Sequence, residues 1–479
     1  MKQTLKKVAL CAMCMVSASA MLAQEPIKKQ AFKGVIIHHA DGNIEKSASI
    51  VWNEKFFSTI GSSSTDGALT VDGGDTLHVY PAFIDGLGTH GSPSAAKAEK
   101  VDDPGNPSLS RAGIEPHRKP HLLWDDKKAK EFESALAAGF GAANLALEGY
   151  MLPGSTDLAI MTNGTPLVIA PEVGQAAGFV NAPGGWRNGV YPSTLMGLMA
   201  RYRQLWYDAT ALKEHIAGYE AGTIAEPPVR SQEHEAMFPY LDGSKKLFFV
   251  ADESEDIERL FKLQDELGFS FVLVSGKEAY KKAEMLKARY IDVLASFSFD
   301  IKKEEKKKDK KAAVSDSTAT EEVEEKMDEA TVVVEKKVDE AAVVVEQKMD
   351  EAAVVVEKKV DEAAVAFEKK TAEARAVQLM NIRKLMDAGV NVGYASLGEK
   401  KGDFKKGVEA MLKAGYTEAE LVKLLSHNTA EILMVADKLG QIKSGQMANF
   451  FVTDKEMSDK KAKILYTVSG GVLKDHTND

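Results

Sequence analysis

The spacing of apolar and polar positions divides the chain into three kinds of segment. From about Ala31 to Tyr80, short β-rich runs (GVIIHH, SASIVWN, KFFSTIG, TLHVY) alternate with Asp-Gly, Gly-Gly and Ser clusters, which predicts a small sheet joined by tight turns. From Pro81 to about Phe299, apolar strand-like runs alternate with helical ones. PAFIDGL, GFGAANLAL, KKLFFVA, FSFVLVS and IDVLASFSF read as strands, and Lys127 to Ala138, Asp256 to Leu267 and Glu278 to Ala288 as helices. Strand alternating with helix implies a parallel sheet, open or closed into a barrel. The pattern resumes with a helix over Ala376 to Ala388, a strand in VNVGYAS and two more helices ending near Val435. A last β-like portion, LGQIKSGQMANFFVTD and ILYTVSGGVL, matches the first sheet in composition. The economical arrangement has both ends of the chain forming one sheet domain around an α/β core.

Residues 301–374 break this pattern. A lysine block from Lys302 to Lys311 and a polar stretch from Ala312 to Thr320 precede an eleven-residue repeat: EEKMDEATVVV from Glu324, EKKVDEAAVVV from Glu335, EQKMDEAAVVV from Glu346, EKKVDEAAVAF from Glu357 and a degenerate unit from Glu368. Eleven residues close on three helical turns, so every unit presents the same face, with a slight right-handed supercoil. Val338, Ala341, Ala342 and Val345 fall on one narrow stripe, and acids outnumber lysines around it. As a helix the five units make a rod of roughly 80 Å, too long to fold inside a core. The readings are a spacer extending the following barrel helix, a coiled-coil or partner-binding rod, or a membrane-surface helix. The last is disfavoured because such helices favour lysine and bulky aromatics, whereas the repeat is mostly Ala, Val and Glu.

Composition narrows the function classes. The 479 residues carry 61 basic and 71 acidic side chains, a formal charge of −10, without the basic surplus of a nucleic-acid binder. The two cysteines, Cys11 and Cys14, both lie near the start, so neither a thiolate metal site nor a cysteine nucleophile serves the rest of the chain. Lys2, Lys6 and Lys7 precede an apolar run from Val8 to Val16 with small residues after it, the pattern of a cleaved export signal. Cleavage fits after Ala20 or after Ala23. The run is short of the ~20 residues a membrane span needs, so the expected product is exported and periplasmic, with no membrane span.

The segment Val79-Tyr80-Pro81-Ala82-Phe83-Ile84-Asp85-Gly86-Leu87-Gly88-Thr89-His90 stands where the small sheet gives way to the α/β repeat. It resembles the P-G-[FL]-I-D-x-H-x-H motif of the amidohydrolase superfamily. LSHNTAEILMVADKLGQIKSGQMANFFVTD is similar to that superfamily's closing run. GGWRNGVYPSTLMGLMARYRQLWYDA and ESEDIERLFKLQDELGFSFVLVSGKEAYKKAEML resemble exported members of its imidazolonepropionase-like branch. The resemblance implies a TIM-like (β/α)8 barrel, residues 81–300 and 375–435, with a composite β-sandwich from residues 24–80 and 436–479. Residues 1–23 are then the signal peptide, and residues 301–374 the charged linker and helical repeat insertion. It also implies hydrolysis of C–N bonds by a divalent metal at the barrel mouth, which acidifies a water, with an aspartate of the last strand taking the proton.

The positions the resemblance assigns to that chemistry are substituted. Leu87 and Thr89 stand at the two first-strand histidine positions, with His90 displaced by one. Val250 stands at the fifth-strand histidine position with Asp252 two residues on, Ser275 at the sixth-strand position, and Leu397 at the final aspartate. Leucine neither ligates zinc nor accepts a proton. The expectation is therefore a barrel without metal or other cofactor that binds a small molecule or a protein partner, in the second case another copy of itself or an intact amidohydrolase relative. The alternative is a hydrolase with zinc or another divalent metal in an unusual site.

Other residues are weighed in the same way. Asp85 sits just outside the ligand pair and suits a structural hydrogen bond. His38 and His39 lie in the first sheet, far from a barrel mouth. His117 and His121 have the four-residue spacing of a helical metal pair, but Pro120 between them spoils the helix. Asp252, Glu253 and Lys277 follow strands five and six and are candidate ligand contacts at the mouth. Trp186, Arg187 and Tyr191 are candidates for an aromatic and cationic lip over it.

Overall fold

The structure, a computed structural model, describes residues 29–61, 64–65, 67–95, 103, 105–182, 191–299, 373, 376–399 and 401–477. The signal-like segment, nearly all of the insertion, and Trp186 and Arg187 lie outside the described residues. The chain divides into two compact units, Phe299–Gln378 and the remainder; the second of these is described below.

Both ends of the chain build one seven-stranded sheet. Strands β1 (Lys29–His38), β2 (Ile44–Asn53), β3 (Phe56–Gly61) and β4 (Leu69–Pro81) come from the start. The strands β13 (Phe450–Thr453), β14 (Ile464–Ser469) and β15 (Val472–Asp475) come from the end, and the order is β15-β14-β13-β4-β1-β2-β3. The join is the antiparallel pairing of β13 with β4, Phe450 opposite Pro81 and Val452 opposite Val79. Phe32, Trp52, Phe57 and Phe450 close a core in which ring centroids lie 5.3 to 5.9 Å apart.

The second sheet carries the α/β repeat: β5 (Phe83–Gly88), β6 (Phe140–Leu145), β7 (Gly154–Ile160), β8 (Leu167–Gly178), β9 (Lys246–Ala251), β10 (Ser270–Ser275), β11 (Val293–Ala295) and β12 (Val392–Tyr394), paired in sequence order. This is the TIM-like order, with one departure from eight parallel strands: β7 runs antiparallel to both β6 and β8. Residues 146–153 and 161–166 are too short for a parallel crossover, which takes a dozen or more residues, and the turn formers in GYMLPG and TNGTP make hairpins instead.

The ends of that order come back together. Leu397 N–H donates to Leu87 C=O at 3.0 Å. One turn lower, the helical residues Leu424–Asn428 and Thr429–Ile432 take the place of a ladder. Tyr394 N–H donates to Thr429 Oγ1 at 3.0 Å, and Asn428 Nδ2 donates to Val392 C=O at 3.0 Å. Gly393 permits this approach, since a Cβ there would lie 2.7 Å from Thr429 Oγ1.

Sheet domain and barrel are also locked through Glu418, at the start of the helix Glu418–Lys423. Its carboxylate accepts from Tyr80 Oη at 2.7 Å and lies 3.4 Å from His38 Nδ1, while His38 Nε2 is 2.8 Å from His78 Nδ1. Burial holds the His38 imidazole down to about 4 from its ordinary 6.5. His78 and His39 push the same way, and Glu418 pulls against them. The unfolded chain therefore binds the proton more readily. The stability this confers is complete above pH 6.5 and falls as the pH drops towards 4, by at most on the order of 3 kcal/mol. Urea midpoints measured across that window should fall more steeply for the wild type than for His38→Asn.

Candidate functional site

The carboxyl ends of the barrel strands are where this architecture places chemistry. A single apolar cluster fills the interior, drawing Ile84, Ala142, Leu158, Ala176, Phe248, Val274, Leu294 and Ala395 from successive strands. Leu87, 2 % exposed, belongs to that cluster, and Val250 and Leu397 pack against it. Three of the positions assigned from the sequence are thus associated with one apolar cluster.

Ser275 does not join them. Val274 pairs with Val250 and Val272 with Phe248, all four inward, so Ser275, opposite Ala251, takes the other face. Val274 is the neighbouring residue of β10 that joins the apolar cluster. Ser275 itself is buried at φ 71°, where the backbone leaves the strand. Leu397 also has positive φ, 49°, an uncommon conformation for a branched side chain. Thr89 lies beyond the end of β5 and lines, with His90, Glu131, Glu148 and Glu399, a hollow of about 480 Å³.

Asp85 is fully buried and acts as a clasp. Its Oδ1 accepts from Ser396 N at 2.8 Å and Leu87 N at 3.2 Å, and its Oδ2 accepts from Ser396 Oγ and from His90 Nε2 at 3.2 Å. This carboxylate joins β5 to the residues after β12. A structural hydrogen bond is its role, as its place in the motif suggested.

Asp252 and Lys277 stand at the ends of β9 and β10 and neutralise each other, Nζ to Oδ2 at 2.8 Å. Asp252 Oδ1 is buried without a hydrogen-bond partner. Glu253 stands immediately before the helix Ser254–Leu267, and its side chain makes no capping hydrogen bond there. Tyr191 donates to Gly197 C=O at 3.2 Å, which ties it to the first turn of the helix Leu195–Glu220. His117 and His121 form no metal pair: His121 Nδ1 is 2.7 Å from Oδ2 of the fully buried Asp157. Among the described residues no three His, Cys, Asp or Glu side chains converge as a metal site.

Two inward polar groups were not singled out from the sequence. Asn144 on β6 faces Leu158 across the pair, and Thr156 on β7 lies two residues from Leu158 on the same face. Both are fully buried. Asn144 Nδ2 donates to Gly86 C=O at 3.1 Å, while Asn144 Oδ1 and Thr156 Oγ1 have no hydrogen-bond partner. Each interrupts an apolar alternation, in GFGAANLAL and GSTDLAI, and that is the signal they leave in the sequence.

The amidohydrolase family model matches residues 255–474. An amidohydrolase from Thermotoga maritima MSB8 superposes with a TM-score of 0.67 at 17% identity, over 92% of this chain and 98% of that one. Residues 255–474 thus carry the likeness to the amidohydrolase family, and the chain shares the fold of the Thermotoga protein. A prolidase complexed with N-methylphosphonate-L-proline is also similar, at 14% identity and a TM-score of 0.49, over 94% of this chain and all of the other. None of the curated proteins matches the sequence. The metal that the superfamily implies does not fit the residues present. A first shell needs several nitrogen or oxygen donors aimed at one point, and the interior offers Leu87, Val250, Val274 and Leu397 at that level, with Asp85 committed to Ser396 and Leu87.

Proposed function

We propose that this chain is a non-catalytic, exported protein of amidohydrolase fold whose barrel binds a small molecule or a protein partner without a metal. The observation that carries the reading is that Leu87 belongs to the apolar cluster of the barrel and Val250 and Leu397 pack against it. Hydrolysis in this superfamily asks that end of the barrel to supply metal ligands and a proton acceptor. These side chains offer neither. In their place stand an apolar surface and two unsatisfied polar groups, Asn144 Oδ1 and Thr156 Oγ1. Export to the periplasm is supported by Lys2, Lys6 and Lys7 ahead of the run from Val8 to Val16. No helix among the described residues is long and apolar enough to cross a membrane.

A hydrolysis panel of dipeptides, ureas and cyclic imides, run with zinc and with manganese supplied, tests the reading. Rates at the uncatalysed background in both metals are expected. Turnover that depends on added metal would instead establish the chain as a hydrolase with a site built from other residues.

A further inference from the structure

A second hollow, of about 500 Å³, lies away from the barrel mouth, between barrel and sheet domain. Its size falls within the range of about 300–1,000 Å³ typical of small-molecule sites. On the barrel side it is walled by Phe83 of β5 and by Phe404 and Val408 of the helix Lys401–Lys413; on the other side by Phe451 of β13 and by Ile464 and Leu465 of β14. The rings form one surface, with Phe83 centred 4.8 Å from Phe451 and 6.1 Å from Phe404. The phenylalanines are buried, while Ile464 and Leu465 remain half-buried, so the apolar wall is left partly open to solvent.

The rim is basic in a chain of net charge −10. Lys405, Lys463 and His476 all line it. Lys405 Nζ reaches the carbonyl of Lys460 at 3.5 Å, the limit of a hydrogen bond, and the exposed Lys463 ammonium pairs with no acid among the described residues. His476 Nε2 lies 3.0 Å from Thr467 Oγ1. The acid on the rim, Asp459, is answered locally: it lies 3.7 Å from Lys455 Nζ and accepts from Lys461 N–H at 2.7 Å. An apolar wall with two ammonium groups at its edge calls for an apolar body ending in a negative charge.

The geometry points to a binding site in this hollow for a monocarboxylate with an apolar body, a medium-chain fatty acid being the simplest form. The carboxylate is held between Lys405 and Lys463, and the chain lies against Phe83, Phe404, Phe451 and Ile464. No side chain of the barrel interior takes part, so this assignment stands or falls separately from the function proposed above.

Calorimetric titration of the full chain with decanoate, decanol and decylamine tests it. Decanoate is expected to saturate at one molecule per chain. The double variant Lys405→Glu/Lys463→Glu, both at exposed positions, should weaken decanoate about tenfold while weakening decylamine not at all. Ala462→Trp, which fills the hollow from its wall, should weaken all three probes, with the melting temperature unchanged. Absence of saturable decanoate binding up to about 1 mM, equal binding of the three head groups, or decanoate binding that survives both variants would overturn the assignment. A change of mass in solution on introducing Ala462→Trp would also overturn it, by showing the hollow to be a contact between copies of the chain.

Discussion

Replacing Asp85 by alanine is expected to destabilise the protein by about 4 kcal/mol or more, among the largest effects of any single change in the barrel. The carboxylate is fully buried and receives four hydrogen bonds, two of them from Ser396, which lies 311 positions away in sequence. Truncation removes the charge and leaves the Ser396 N–H, the Ser396 hydroxyl and the Leu87 N–H buried without an acceptor. Each orphaned group costs about 1–3 kcal/mol. Asp85→Asn keeps the shape and one carbonyl oxygen, so it should cost roughly 1–2 kcal/mol. Urea denaturation of the two variants should give that order. An alanine variant as stable as the wild type would show that the first and last strands are held together by something else.

Gly471→Ala should be at least as damaging. Gly471 sits at φ 81° in the turn between β14 and β15, and a Cβ there would lie 1.6 Å from the carbonyl oxygen of Glu54 and 2.8 Å from Lys55 Cα, all backbone atoms. Nothing flexible is available to yield. The same glycine accepts Trp52 Nε1–H at 3.0 Å and donates its own N–H to Ala448 C=O at 3.0 Å, so its displacement disturbs the core around Trp52. A loss of at least about 4 kcal/mol is expected, combining the clash with left-handed strain. Gly445→Ala is the control: φ is 86° there, but no atom lies within 4 Å of the added carbon, and the loss should stay near 1 kcal/mol. Denaturation midpoints that fail to separate the two would contradict the packing described for these hairpin turns.

The elements that could be read from the chain are those that carry a local period. The runs GVIIHH, SASIVWN and TLHVY fall on strands β1, β2 and β4, and the helix expected over Asp256 to Leu267 occupies Ser254–Leu267. The inverted β7 was missed because strand direction leaves no mark on an apolar run. Direction lies in the connection lengths on either side of it. The facing of Ser275 depends on the register of β10 with β9, which a single sequence does not display. The clasp of Asp85 on Ser396 joins distant residues that share no pattern, so sequence gave Asp85 a structural role without naming its partner. Leu87 stands within the motif at Pro81 to His90 and Leu397 after the last strand, whereas Val250 lies on β9, where no motif fixes the count. What the sequence did not disclose is that Leu87 joins a large apolar cluster against which Val250 and Leu397 both pack.

Everything proposed about activity depends on that packing, and metal content tests it most directly. The full chain, expressed in medium supplemented with zinc and manganese and then freed of loosely held ions by gel filtration, should carry far less than one equivalent of either by elemental analysis. One equivalent of zinc or manganese per chain, retained through gel filtration and lost when the barrel is unfolded, would contradict the account.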